Sequence, residues 1–428
     1  MTKNLFTKNF VLLILGQLTS LFGNLILKLA MSMYVLEITG SAAVFAGLLS
    51  IATIPTIMLS PLGGILADRA NRRNIMVALD ALTGTSVLCA ALLLTEANDL
   101  IVIGVLLVIL SVLGAFETPT VQACIPTMLQ GENIMKGNAI VNQVASLSSL
   151  IAPVLGGILY AAFGLKPVMY ASIGCFFVTA LFECFIKLGF QPPHSKEGVC
   201  AIIKQDFLTS MRYISKEQTS IAKMLLLIAL SRFFVMGIVV VGLPYIVHNV
   251  LEFNAKYYGA AESVLAIATI IGSMAAGILA TKFRIRKLSS LLAIMGIFII
   301  PAGAAFFFPI SNFAKYIITV VSLCGMQIAI SIFSIFAVSI IQQRTPNDLI
   351  GKVMAYTSAI TLCVQPIGQV VYGFLFDNLH NAIYLCLIPT GLVVCIIGLC
   401  ARKMFVSIEV KQKEGEEKTV DLNDYNNE

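Results

Sequence analysis

Apolar stretches of eighteen residues or more follow one another along almost the whole chain, separated by short polar breaks. A run of that length crosses a hydrocarbon core of about 30 Å as a helix. Twelve such spans are expected, at about 10–36, 42–66, 75–95, 99–121, 138–163, 167–188, 222–247, 257–281, 287–308, 313–340, 353–376 and 381–402. The first is too long for a removable signal and no small-residue cleavage site follows it. One break, 189–221, is longer than the rest. It opens on Gln191, Pro192 and Pro193, then spaces Ile203, Phe207, Met211 and Ile214 for an amphipathic helix at the membrane surface. After about residue 404 the chain is charged and loses its apolar period, so disorder is expected there.

Composition agrees with an all-α membrane protein. The 428 residues are 58% hydrophobic and only 12% charged, against roughly 25% charged in soluble domains. The net charge of +6 could suit nucleic acid, but its placement indicates topology instead. With both termini on one side, that side collects about 23 of the 28 basic residues. The opposite loops hold Lys166, Lys256 and Lys315, while Lys28 and Arg232 fall inside spans. Both termini are therefore expected in the cytoplasm, and no nucleic-acid partner is expected. The ten cysteines lie mostly within apolar runs without a CxxC pair, and His194, His248 and His380 are far apart. No metal site is expected. Neither a phosphate-binding P-loop nor a nucleophile with a base at meaningful spacing occurs, which argues against an enzyme and for an ion gradient as energy source, with no cofactor.

The two halves echo each other. GILADRANRR at 64–73 matches GILATKFRIR at 277–286 with an offset of 213, and Pro153 and Pro366 share that offset. Duplicated six-helix bundles follow, 1–188 and 222–403, joined by the linker 189–221 and trailed by 404–428; such repeats are a common transporter design.

Three groups of residues carry candidate function. Gly64, Asp68, Arg69, Arg72 and Arg73 end the second span, with Asn71 at a turn position where a left-handed backbone is expected. The copy keeps the basic character but has Thr281 in place of Asp68, so the acid reads as one side of an inner gate; a plain positively charged turn is the competing reading. In the fifth span Ser148, Ala152 and Gly156 recur every four residues beside Gly157, and Pro153 is expected to kink the helix. Finally, several ionisable residues sit inside spans, where they are costly and face a cavity or a partner. At about 1.5 Å per residue, Asp80 lies roughly 9 Å into span three, and Arg232 about 15 Å into span seven.

Glu117 and Arg232 are expected to face a central cavity from opposite halves, with Asp80 supporting them. Lys28 and Glu262 are expected to meet nearer the outer side, and Glu183 to be interfacial. A carboxylate beside a base stays ionised, whereas one separated and desolvated takes up a proton, an alternation that suits proton coupling. Phe233, Phe234, Met236, Phe306, Phe307, Phe308, Met326, Phe333 and Phe336 could line an apolar pocket, though core or lipid-facing positions are the commoner fate.

The loop at 64–73 resembles the loop 2–3 signature of the major facilitator superfamily, with Asn71 where a glycine is usual. Ala152-Pro153-x-x-Gly156-Gly157 is similar to the antiporter element of that superfamily, with Ala152 replacing a glycine. Weaker likenesses at Thr39–Ser41, Phe116–Pro119, Gln342–Pro346 and Gly351–Val353 extend the match over nearly the whole chain. The combination looks most like the bacterial macrolide-efflux branch and its siderophore-exporting relatives. The resemblance implies the major facilitator fold, a multi-pass protein of the bacterial inner (cytoplasmic) membrane, and a monomer. It further implies export of amphiphilic, macrolide-like small molecules by alternating access in exchange for protons. A lipid or lysophospholipid flippase, or a siderophore exporter, are the alternatives on the same fold. One departure stands out: the fourth span lacks the arginine often found in drug antiporters, and Leu110 and Ser111 occupy that neighbourhood.

Overall fold

Because a bilayer core offers no partner to a free amide, each apolar run must satisfy its backbone within itself, and each does so as a helix. The computed structural model describes residues 5–188, 219–280, 285–346 and 349–425, and no strand occurs among them. Twelve helices are long and apolar enough to cross a membrane. They are α1 (Lys8–Thr39), α2 (Ala42–Arg69), α3 (Arg72–Leu93), α4 (Asp99–Met128), α5 (Glu132–Phe163) and α6 (Leu165–Cys184). Then come α7 (Ile221–Val250), α8 (Ala255–Leu279), α9 (Leu288–Ala304), α10 (Asn312–Arg344), α11 (Ile350–Asn378) and α12 (Ile383–Tyr425). The surface helix expected in the long linker falls outside the described residues.

Helix ends carry local signals. Thr7, Ser41 and Ser311 cap α1, α2 and α10 by accepting from Phe10, Val44 and Ala314. Gly40 ends α1 with φ of 62°, a conformation that glycine adopts without strain. Several helices overrun the apolar stretch, as α4 does to Met128 and α10 to Arg344, because polar residues continue a helix once it is nucleated. The same physics corrects the expected disorder after 404: α12 runs on to Tyr425, through lysine, glutamine and glutamate, which are good helix formers.

The helices cluster into two units. One holds the described residues of Met1–Ile203, Val235–Ala266 and Leu362–Asn378; the other those of Lys204–Phe234, Ile267–Thr361 and Leu379–Glu428. In the first, α1 presents Gly16 and Gly23 to α6. A Cβ added at Gly23 would stand 2.9 Å from Cys175 Cβ. Small residues are what lets helices approach in lipid, where no hydrophobic force drives them together. On α7 the backbone widens to π-helical turns at Met236–Gly242 and Ile246–Val250, a geometry frequent at functional sites. There Gly237 and Gly242 leave room for the Tyr372 and Phe376 rings of α11. In the second unit, Gly296 of α9 faces the Gly391 carbonyl of α12, and Gln327 of α10 donates to Thr269 of α8 at 3.0 Å.

Candidate functional site

The loop between α2 and α3 is built from helix caps. Asn71 caps α3 in extended backbone with φ of −69° and accepts from the Arg73 amide. The left-handed turn expected at Asn71 is thus replaced by a cap, which an asparagine side chain makes well. Arg72 donates to the Ala67 carbonyl at 2.8 Å, and Arg73 to the Cys184 carbonyl at the end of α6. Both arginines serve carboxyl ends of helices, where a cation is favoured. Arg69 ends α2, and Gly64 and Asp68 belong to its last turns; the Thr281 counterpart lies outside the described residues.

The proline–glycine element of α5 is a packing surface on two sides. Pro153, Gly156 and Gly157 are all buried. A Cβ at Gly156 would lie 3.3 Å from Ile26 Cα of α1, and one at Gly157 would lie 2.5 Å from the Ala255 carbonyl of α8. Gly259 of α8 answers it, facing the Pro153 carbonyl, so α5 and α8 cross backbone to backbone.

At the end of the bundle where α1 finishes, acidic side chains lace several helices together. Tyr34 donates to Asp99 at 3.0 Å, linking α1 to α4, and Tyr160 donates to Glu37 at 2.5 Å, linking α5 to α1. Asp377 of α11 accepts three hydrogen bonds from the start of α2: Ser41 Oγ at 2.5 Å, the Ala42 amide at 2.6 Å and the Ala43 amide at 3.1 Å. A carboxylate at a helix N-terminus meets both free amides and the positive end of the dipole. Hydrogen bonds to charged groups contribute about 1.5–3 kcal/mol each. Replacing Asp377 by alanine is therefore expected to lower the unfolding temperature of the detergent-solubilised protein by about 5–10 °C, with asparagine in between. Equal melting of all three proteins would contradict the cap.

A second polar group is buried deeper, among α1, α3, α4 and α6. Asp80, Glu183 and Ser20 are 2%, 1% and 2% exposed. Ser20 Oγ stands 3.0 Å from Asp80 Oδ1 and 3.4 Å from Glu117 Oε1. Ser20 thus joins Asp80 to Glu117, and the buried Glu183 carboxyl group is near enough for its charge to act on Asp80. Asp80 Oδ2 and Glu183 Oε2 are buried and receive no donor among the described residues, and the same holds for an acceptor at Gln17 Nε2. Carboxylates accept only; two of them close a hydrogen bond when one carries an O–H. Glu183, near the end of α6, is buried because Gly16 of α1 lets α6 pack over it. Glu117 joins this carboxyl group rather than a base; Arg232 belongs to the other unit and is exposed there.

The third feature is a cavity of about 350 Å³ lined by α1, α2, α4, α7 and α11. Asn24, Lys28, Thr53, Ser111, Gln365 and Gln369 supply its polar lining, with Met31, Leu110 and Met236 among the apolar residues. A smaller recess of about 100 Å³ adjoins it through Lys28 and contains Tyr258 and Glu262. Lys28 and Glu262 thus share one neighbourhood, with Tyr258 bonded to the carboxylate. Of the aromatic and methionine candidates only Met236 lines this cavity; Phe234, Met326 and Phe333 are core, and Phe307 and Phe308 are exposed. Residues that local pattern did not single out include Ser20, Asp377, Tyr258 and the glutamines of α11. Gln365 and Gln369 flank Pro366 at helical spacing, the one signal that could have drawn attention to them.

Similarity to known proteins agrees with this architecture. The chain is 24% identical over 391 residues to macrolide efflux protein A of Streptococcus pyogenes, covering 90% of this chain and 93% of that protein. It is 25% identical over 341 residues to the enterobactin exporter EntS of Salmonella typhi, covering 79% and 78%. Among solved structures, the peptide transporter POT superposes with a TM-score of 0.74 at 13% identity, over 95% of this chain and 96% of that one. The Major Facilitator Superfamily pattern matches residues 13–371, and with the twelve spans this places the chain in that superfamily, as a transporter and not an enzyme.

Proposed function

We propose that this multi-pass protein of the bacterial inner (cytoplasmic) membrane exports amphiphilic small molecules by alternating access in exchange for protons. The observation that carries the reading is a group of three acids within membrane-spanning helices, Asp80 and Glu117 sharing Ser20 with Glu183 buried beside them. Structural hydrogen bonding alone would be met by neutral side chains, at less cost than three acids. The similarity to efflux proteins for macrolides and siderophores supports the outward direction and the amphiphilic class of cargo. Basic residues concentrated on the side of both termini support a cytoplasmic location for them.

In this reading the cavity beside Lys28 takes the cargo, the carboxyl group takes the proton, and Asp68 with Arg69, Arg72 and Arg73 latches the cytoplasmic gate. One chain supplies all of these parts, so a monomer suffices. The α5–α8 glycine crossing and the Asp377 cap close the far end. Arg232 has no assigned part in proton binding.

The test is an accumulation screen with dyes and antibiotics in a pump-deficient bacterium, with and without a protonophore. Lowered accumulation that the protonophore restores is the expected result. Unchanged accumulation of every compound in well-expressing cells contradicts drug export, and lipid transfer between leaflets without resistance would favour a flippase on the same fold.

A further inference from the structure

We propose that Lys28 is the recognition point for an acidic group on the transported molecule, so that the cargo is an anionic amphiphile rather than a cationic drug. This deepens the export reading and rests on it. Lys28 is the charged side chain of the 350 Å³ cavity; the rest of its polar lining is neutral. A lysine within a span is expected to be paired or to line a water-filled cavity. Among the described residues Lys28 forms no ion pair within 4.0 Å, although its side chain is exposed to the cavity. Glu262 is near enough for its charge to be felt, yet it is engaged by Tyr258. The three N–H donors of the ammonium are thus left for a ligand.

The neighbouring groups point the same way. Gln369 accepts from Ser50 at 3.3 Å through its carbonyl oxygen, which leaves its NH2 to donate into the cavity. An ammonium and an amide donor on facing helices suit a carboxylate, a phosphate or an ionised phenol. Met31, Leu110 and Met236 form the apolar wall beside them, suited to a flexible hydrophobic body. A cationic ligand seated there would meet Lys28 as a like charge.

The cavity suggests an exchange. With the cavity empty, the Glu262 carboxylate partly compensates Lys28 across the recess; an entering anion takes that place at direct contact. Charge-assisted hydrogen bonds of this kind make a difference of about tenfold to hundredfold in binding.

Everted vesicles provide the test, with two matched probes, dansyl-undecanoic acid and a dansyl-undecyl trimethylammonium salt, and with a short-chain fluorescent phosphatidylglycerol. Wild-type vesicles should load the acid in preference to the cation. Lys28→Gln should lower the acid-to-cation uptake ratio about tenfold or more, and Lys28→Arg should restore most of it. Lys28-dependent flipping of the phosphatidylglycerol without uptake of the free acid would upholds the anion site and assign the acidic group to a lipid headgroup. Preferential loading of the cation, or an unchanged ratio in Lys28→Gln, overturns the proposal while export stands. If neither probe is driven by protons, the export reading fails instead. Equilibrium binding to the purified protein then decides: Lys28-dependent binding of the acid upholds the anion site, and equal binding of acid and cation overturns it.

Discussion

A double variant, Asp80→Asn with Glu183→Gln, is expected to insert and fold yet lose all concentrative transport. The reasoning follows the proton. In the proposed cycle a proton taken up by Asp80 or Glu183 is shared between the carboxyl groups, and an amide supplies a permanent N–H donor in that place. The variant is therefore fixed in the equivalent of the proton-loaded form, with no buried oxygen left short of a donor. An alanine in either position would instead leave the partner carboxyl unsatisfied, at about 1–3 kcal/mol or more, and would confound coupling with misfolding. One pH unit supplies about 1.4 kcal/mol per proton, enough for about tenfold accumulation of a neutral substrate in one-for-one exchange. In everted vesicles the wild-type ratio should approach that value per unit of gradient, and the double variant should stay at unity. Substrate-for-substrate exchange should survive in the variant, because it needs no change in protonation. A gradient-driven ratio equal to wild type would remove these carboxyls from the coupling mechanism. Glu117→Gln reports on the third member: its Oε1 lies at the long distance of 3.4 Å from Ser20, so a partial loss is expected there.

The carboxyl group also marks how far the sequence could be read. Twelve spans were legible because a bilayer demands long apolar helices, and the linear pattern records that demand directly. Helix membership was legible too: Asp80 and Glu117 fall inside α3 and α4. Facing was not. Counting along one helix could not show that Glu183 is buried, because the neighbour that covers it comes from α1, more than 150 residues away, at Gly16. Asp377 left no local signal because its partners, Ser41, Ala42 and Ala43, stand over 330 residues earlier. Where a motif concerned backbone contact, as at Pro153, Gly156 and Gly157, the small-residue stripe was sufficient. Glycine in that pattern has one physical use in a membrane, the close approach of another helix.

That close approach leads to the second large effect. Substituting valine at Gly157, or at Gly259 opposite, is expected to arrest the carrier with α5 and α8 separated. Even the alanine Cβ at Gly157 would sit 2.5 Å from the Ala255 carbonyl and 3.3 Å from Gly259 Cα, and backbone atoms cannot turn aside as a flexible side chain can. Overpacking of this kind costs about 1–3 kcal/mol. The cost falls on the packed arrangement alone, because separated helices relieve it, so the equilibrium between the two shifts by roughly 5-fold to 150-fold. Transport requires both arrangements and should fall by a similar factor, more for valine than for alanine. A cysteine at the buried position Ala255, in a background stripped of native cysteines, should label slowly with a membrane-impermeant maleimide when Gly157 is intact and rapidly in Gly157→Val. Gly156→Ala is the internal comparison, since its Cβ would meet Ile26 at the milder distance of 3.3 Å; it should slow transport less and leave labelling at Ala255→Cys near the starting rate. If Gly157→Val transports as well as the wild type, the crossing is packing without a part in the cycle.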